Sequence, residues 1–208
     1  MFAAGERFNG LSHLAGFALA IAGLVALVAQ LGPAARPWHA VGSLTFALAV
    51  LFLYAASIAC HASRGRAKRL WERLDHVAIF VLIAGTATPF ALSLPSDPWA
   101  WGGLVLVWAA AGLGIGRELW HRPAPQRPSV LPYVAVGWLA VAVAVRACRQ
   151  LPGSVAVLLV AGGCVYTLGT FFYVRSAQLR HAHGIWHLFV LAGTGTHYAA
   201  VYGLAGGG

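Results

Sequence analysis

The chain alternates between long apolar runs and short polar breaks. Seven of the runs approach or exceed the roughly 20 apolar residues that a helix needs to cross a bilayer, and clusters of Gly, Pro and charged residues separate them. Within hydrocarbon, an open chain satisfies its backbone hydrogen bonds only as helices. We therefore predict one all-α domain over residues 1–208, an integral membrane bundle of seven transmembrane helices. The predicted spans are roughly 11–32, 39–61, 75–94, 98–116, 130–147, 152–173 and 183–204.

Composition and charge agree with a membrane location. Apolar residues make up 60% of the chain and charged residues only 9%, which is too little polar surface for a soluble domain of 208 residues. The net charge of +9 does not indicate nucleic-acid binding, because the basic residues lie between apolar runs. Membrane lipids are the partners we expect, while the sequence does not fix an oligomeric state.

The distribution of basic residues predicts the orientation. Cytoplasmic loops retain Lys and Arg, and eleven of the 14 basic residues fall on one side of the predicted bundle. We therefore expect the N-terminus in the cytoplasm, the C-terminus outside, and a multi-pass protein of the inner (plasma) membrane. The eleven are Arg7, Arg64, Arg66, Lys68, Arg69, Arg73, Arg117, Arg122, Arg127, Arg175 and Arg180.

Polar residues gather at the cytoplasmic ends of four predicted spans. Ionisable residues in membrane spans are costly and indicate function by default. The residues at this level are Glu6, Asn9, Ser12, His13, Ser57, His61, Asp75, His76, His181, His183 and His187.

Three of the histidines are candidate metal ligands. His183 and His187 are four residues apart, so both project from one helix face about 6 Å apart along the axis. A third ligand has to come from another helix at the same depth, and His61 is the best placed. Three neutral imidazoles suit zinc and leave a fourth position for water, as in catalytic zinc sites.

Asp75 and Ser57 are the candidate catalytic residues beside this zinc. Asp75 would orient the water or accept its proton. Ser57 precedes His61 by four residues and shares its helix face. Glu6, Asn9 and His13 are candidates for supporting the ligands.

Each of these residues also has a simpler interpretation. A histidine pair with this spacing can instead bond to neighbouring helices. Asp75 can serve as a helix N-cap, and Asn9 and His13 can join helices. The coincidence of depth among His61, Asp75, His183 and His187 favours a site.

Several motifs, in order along nearly the whole chain, resemble the bacterial hemolysin III family within the progestin and adipoQ receptor superfamily. They are Glu6-Arg7-Phe8-Asn9-Gly10-Leu11-Ser12-His13, Ser57-Ile58-Ala59-Cys60-His61, Leu74-Asp75-His76, Gly85-Thr86-Ala87-Thr88-Pro89-Phe90, His183-Gly184-Ile185-Trp186-His187 and His197-Tyr198. The resemblance implies a seven-helix bundle with a cytoplasmic N-terminus. It also implies zinc on His61, His183 and His187, with Asp75 and Ser57 around the bound water.

Two functions follow as hypotheses. Relatives in the wider superfamily resemble ceramidases, which implies a zinc-dependent hydrolase of a lipid amide or ester at the inner leaflet. Alternatively, the zinc is structural, and the protein is a regulator of membrane state, a receptor or a cytolysin. The sequence leaves open whether this is an enzyme.

Overall fold

The computed structural model describes residues 2, 4–32, 35–120, 129–147 and 153–206, and these residues are almost entirely helical. Arg122, Arg127 and Arg149, which contribute to the orientation argument, lie outside this part of the chain. A single 3-10 turn at Ala4–Glu6 precedes the first α-helix. Seven α-helices follow: α1 Arg7–Leu31, α2 Pro37–Ala62, α3 Gly65–Leu92, α4 Pro98–Trp120, α5 Leu131–Ala147, α6 Gly153–Val174 and α7 Ala182–Gly206.

The helices form a membrane bundle, which confirms the predicted all-α fold class. Among the described residues, α1, α2, α3, α4 and α6 are long and apolar enough to cross a membrane. The apolar helix α5 is shorter, and the His, Tyr, Thr and Gly residues of α7 dilute its apolar character. Large apolar side chains such as Leu19, Val105, Leu113 and Leu168 are exposed on the outside of the bundle. Lipid would cover these side chains in a membrane.

Helices α2 and α3 form the most extensive contact, and α6 with α7 form the next. A glycine explains the close approach of α2 and α3. A Cβ atom on Gly42 of α2 would lie 2.6 Å from the backbone Cα of Pro89 in α3, so only glycine fits there. Phe46 and Leu53 from α2 and Phe90 from α3 belong to the main core beside this contact. Helices α2 and α3 are therefore tightly packed, and they carry Ser57, His61 and Asp75 towards one end of the bundle.

Helix α3 begins earlier than the apolar pattern indicates, at Gly65 rather than near residue 75. The segment between these positions is charged, with Arg66, Lys68 and Glu72 among its residues, so hydropathy detects only the later part of the helix. Asp75 consequently lies inside α3, and the residue at the N-cap is Arg64. The interpretation of Asp75 as a helix N-cap is therefore wrong.

Candidate metal centre

His61, His183 and His187 come together at one end of the bundle. His61 lies in the last turn of α2, and His183 and His187 lie in the first two turns of α7. One ring nitrogen from each lies within 4.8 Å of the others. His61 and His187 are 6% and 2% exposed. Tetrahedral zinc with bonds of about 2 Å would bring such nitrogens to about 3.3 Å apart, so a small closure would complete a three-histidine site.

Hydrogen bonds fix the tautomers of His61 and His187. Nδ1 of His61 is 2.7 Å from a carboxylate oxygen of Glu6, and Nδ1 of His187 is 3.0 Å from the backbone oxygen of Asn9. Both oxygens only accept hydrogen bonds, so each Nδ1 carries the proton and each Nε2 keeps its lone pair. Nε2 of His61 is buried and has no hydrogen-bond partner among the described residues. This arrangement fits a metal ion, since a liganding imidazole usually donates its other N–H to an oxygen.

Glu6 connects the ligands to a wider polar group. The Asn9 amide donates to Glu6 at 3.0 Å, and the Lys68 ammonium donates to it at 3.3 Å. Burial raises the pKa of Glu6, but the hydrogen bonds from Asn9 and His61 and the charge of Lys68 outweigh it and lower the pKa to about 2. Glu6 therefore carries a negative charge facing His61. The structure thus brings the predicted supporting residues Glu6 and Asn9 into contact with the histidine cluster.

His13 meets the cluster in a different way. Its ring stacks on His187, with ring centroids 3.7 Å apart and planes inclined by 15°. It is buried, and neither ring nitrogen has a hydrogen-bond partner in the described part of the chain. The structure therefore places the predicted supporting residue His13 beside the candidate ligand His187, and the stacked ring restricts the orientation of the His187 imidazole.

The candidate catalytic residues share a cavity with the histidines. Ser57 is fully buried in α2, and its hydroxyl has no hydrogen-bond partner among the described residues. Asp75 lies in the neighbouring helix α3. Both line the cavity that also contains His61, His183 and His187. His181 and His197 are separate from the three-histidine group: His181 is exposed, and Nε2 of His197 donates to the backbone oxygen of Leu159 at 3.1 Å.

The cavity has a volume of about 670 Å³, and its charged residues lie at one end. The histidines, Asp75 and Glu6 lie at the polar end, where α2 ends and α7 begins. Away from this end the walls are mostly apolar and come from α3, α5 and α6, for example Leu82, Val141 and Leu159. A space of this size is typical of sites for small molecules, and its two-part lining suits an amphiphile.

Comparison with known proteins identifies the family. The chain matches the family model described as "Haemolysin-III related" over residues 3–198. The chain belongs to this family. It is 34% identical over 197 residues to the "Hemolysin-3 homolog" of Bacillus subtilis (strain 168), covering 94% of this chain and 92% of that protein. It is 32% identical over 197 residues to the "Hemolysin-3" of Bacillus cereus, with 94% and 90% covered.

A shorter stretch of this Haemolysin-III related chain is similar to a eukaryotic protein. The match to the human "Monocyte to macrophage differentiation factor" is 41% identical over 44 residues, which is 21% of this chain and 18% of the human protein. The predicted resemblance to hemolysin III is therefore confirmed, and the superfamily assignment is consistent with it.

A second polar cluster in this Haemolysin-III related protein was not predicted from the sequence. Tyr133 donates to Glu118 at 3.0 Å, His76 lies 3.4 Å from the same carboxylate, and the hydroxyl of Tyr173 lies 3.4 Å from the other ring nitrogen of His76. The four residues come from α3, α4, α5 and α6 and line the cavity. One available signal was that Glu118 is among only five acidic residues in the chain.

Proposed function

We propose that His61, His183 and His187 bind zinc. The observation that carries this proposal is the three-imidazole group, in which Nδ1 of both His61 and His187 donates to an oxygen. Nε2 of His61 is buried and has no hydrogen-bond partner among the described residues. Three neutral imidazoles without thiolates or several carboxylates favour zinc among common metal ions. With the N-terminus in the cytoplasm of a plasma-membrane protein, as the basic residues favour, this site would lie near the inner leaflet.

We further propose that the protein is a zinc-dependent hydrolase of a lipid amide or ester. When bound, zinc polarises the carbonyl group of the lipid and lowers the pKa of a bound water molecule. Asp75 would hold the attacking water through its carboxylate and accept its proton, and Ser57 would orient that carboxylate. The apolar walls of the cavity would hold the acyl chain and exclude bulk water. The cavity that Ser57 and Asp75 share with the three histidines supports these roles.

A non-catalytic function is the second candidate. Helices α2 and α7 have little direct contact, so a metal ion held by His61, His183 and His187 would tie the two helices together. The protein would then be a membrane regulator or a receptor with a structural zinc. A cytolysin is a further form of this alternative, since the Bacillus cereus relative is named "Hemolysin-3".

The hydrolase proposal is tested with purified protein and a panel of lipid amides and esters. We expect the wild type to release fatty acid and Asp75→Asn to lose at least about 100-fold in turnover, because general-base catalysis contributes on the order of 100-fold to 10,000-fold. Asp75→Asn should keep its zinc, since the carboxylate is not a proposed ligand.

The other outcomes separate the candidates. Full activity in Asp75→Asn removes this residue from the mechanism. Zinc bound to a wild type that forms no product favours the structural role. Dye release from liposomes without a lipid product favours lysis.

A further inference from the structure

The cluster of His76, Glu118, Tyr133 and Tyr173 has no role in the proposed chemistry. It nevertheless lies close to the metal centre, because the Tyr173 ring is 5.9 Å from the His183 ring, between centroids. The cluster also lies at the polar end of the cavity, beside Asp75. A lipid with its carbonyl group near the histidines and its chain along the apolar walls would bring its head group towards this cluster.

Two hydrogen bonds of the cluster end on the carboxylate of Glu118. A carboxylate only accepts hydrogen bonds, so the Tyr133 hydroxyl and His76 Nδ1 both donate to Glu118. In a neutral His76, Nε2 accepts a hydrogen bond from the Tyr173 hydroxyl, and in a protonated His76 it donates to the Tyr173 oxygen. The donors that face Glu118, the Tyr133 hydroxyl and His76 Nδ1, are therefore both used.

Glu118 can still accept hydrogen bonds from a ligand. A carboxylate offers about four lone-pair positions and a phenol oxygen two, so Glu118 and both tyrosines retain capacity to accept. The side chains of His76 and Glu118 are 25% and 27% exposed, which makes them accessible from the cavity. The two contacts of 3.4 Å are long for hydrogen bonds. A ligand could therefore bind to Glu118 without breaking a short contact.

We propose that this cluster is a head-group subsite that selects lipids carrying a hydrogen-bond donor, a hydroxyl or an amine, near the amide or ester carbonyl. The proposal rests on the lipid-binding role proposed for the cavity. The expected substrate would then carry an acyl chain at one end and, in addition, a head group with a hydrogen-bond donor at the other. Glu118 would accept the hydrogen bond, and His76 and Tyr133 would position its carboxylate.

The test compares two probes that differ only in the donor. N-oleoylethanolamine carries a free hydroxyl, and N-(2-methoxyethyl)oleamide carries a methyl ether at the same place. Native mass spectrometry of the purified, zinc-loaded protein measures binding of each probe and detects any fatty acid released. We expect the wild type to bind the hydroxyl probe at least about tenfold more tightly, as for a hydrogen bond to a charged acceptor.

Two variants test the assignment of Glu118. Glu118→Leu removes the acceptor and should abolish the preference. Glu118→Gln keeps the shape of the side chain, provides a second test if the leucine variant does not fold, and should reduce the preference severalfold. Glu72→Gln is the control, because Glu72 also lines the cavity and has no hydrogen bond to the cluster. It should keep the wild-type preference.

The outcomes distinguish this proposal from the hydrolase proposal. A wild type without a preference, or a preference that survives in both Glu118 variants, overturns the subsite. Product formation without a preference for the hydroxyl probe would support the hydrolase proposal and contradict the subsite. A preference lost in the Glu118 variants, with no product from any lipid, would support the subsite and remove the hydrolase.

Discussion

His61 and His187 use the same atom in the same way: each donates from Nδ1 to an oxygen of the N-terminal segment. The acceptors are the Glu6 carboxylate and the Asn9 backbone oxygen. A segment that supplies no ligand of its own thus sets the direction of two candidate ligands on other helices. At the scale of single residues, Glu6 orients the candidate ligand His61.

Glu6→Gln tests this role. The amide oxygen can still accept from His61, but the negative charge that makes the ring a stronger donor to the metal is lost. Loss of such a supporting group weakens metal affinity by about 10-fold to 100-fold. Competition with a zinc-binding dye measures the change. Glu72→Gln is the matched control, since it removes the same charge from a residue outside the Glu6 hydrogen bonds, and an affinity equal in both variants would contradict the role of Glu6.

The histidine cluster was predictable from the sequence to different degrees. His183 and His187 lie on one helix, where spacing alone sets their common face. His61 was assigned by depth, which the order of the spans supplies. The contacts between Glu6 and His61 and between Tyr173 and His76 were not predictable, because they depend on how each helix is rotated about its axis. Membrane helices that are apolar on most faces carry little sequence signal for this rotation.

At the scale of helices, close packing between α2 and α3 places Ser57 and Asp75 opposite each other. Gly42 makes this approach possible at the other end of the same two helices, where a side chain would meet the Pro89 backbone. Backbone cannot move aside as a flexible side chain can. The helix pair therefore depends on a glycine far from the polar residues that it positions.

Gly42→Ala should destabilise the protein by about 1 to 3 kcal/mol, as expected for overpacking in a well-packed core. Thermal unfolding in detergent, followed by circular dichroism, measures the loss as a lower midpoint. Gly112→Ala in α4 is the control, because a Cβ there meets no atom within 4 Å, and alanine favours helix more than glycine does. Equal midpoints for the wild type and Gly42→Ala would contradict the tight contact.

The start of α3 illustrates what hydropathy can and cannot predict about an element. The apolar pattern locates the part of α3 suited to lipid, but the helix continues through a charged segment back to Gly65. That continuation brings Lys68 to Glu6. Because a helix can extend beyond the hydrocarbon with polar residues, its true start has no hydrophobic signal. Asp75 therefore lies inside α3 and not at its N-cap.

At the scale of the whole molecule, the orientation decides which leaflet the site faces. The basic residues favour a cytoplasmic N-terminus and an external C-terminus. A fluorescent protein that folds only in the cytoplasm should therefore be dark when fused at the C-terminus, and an alkaline phosphatase fused there should be active. Fusions after residue 120, between α4 and α5, should give the opposite pattern. Fluorescence from the C-terminal fusion would reverse the orientation and move the site to the outer leaflet.

A metal ion shared by α2 and α7 underlies each function proposed for this protein. Elemental analysis of the purified protein should find about one zinc per chain in the wild type, and little in His61→Ala or His187→Ala, since each variant removes one of three ligands. His181→Asn is the control, because this exposed residue has a positive φ that asparagine tolerates, and it should keep its zinc. A wild type without zinc, or variants that retain a full equivalent, would contradict the metal centre.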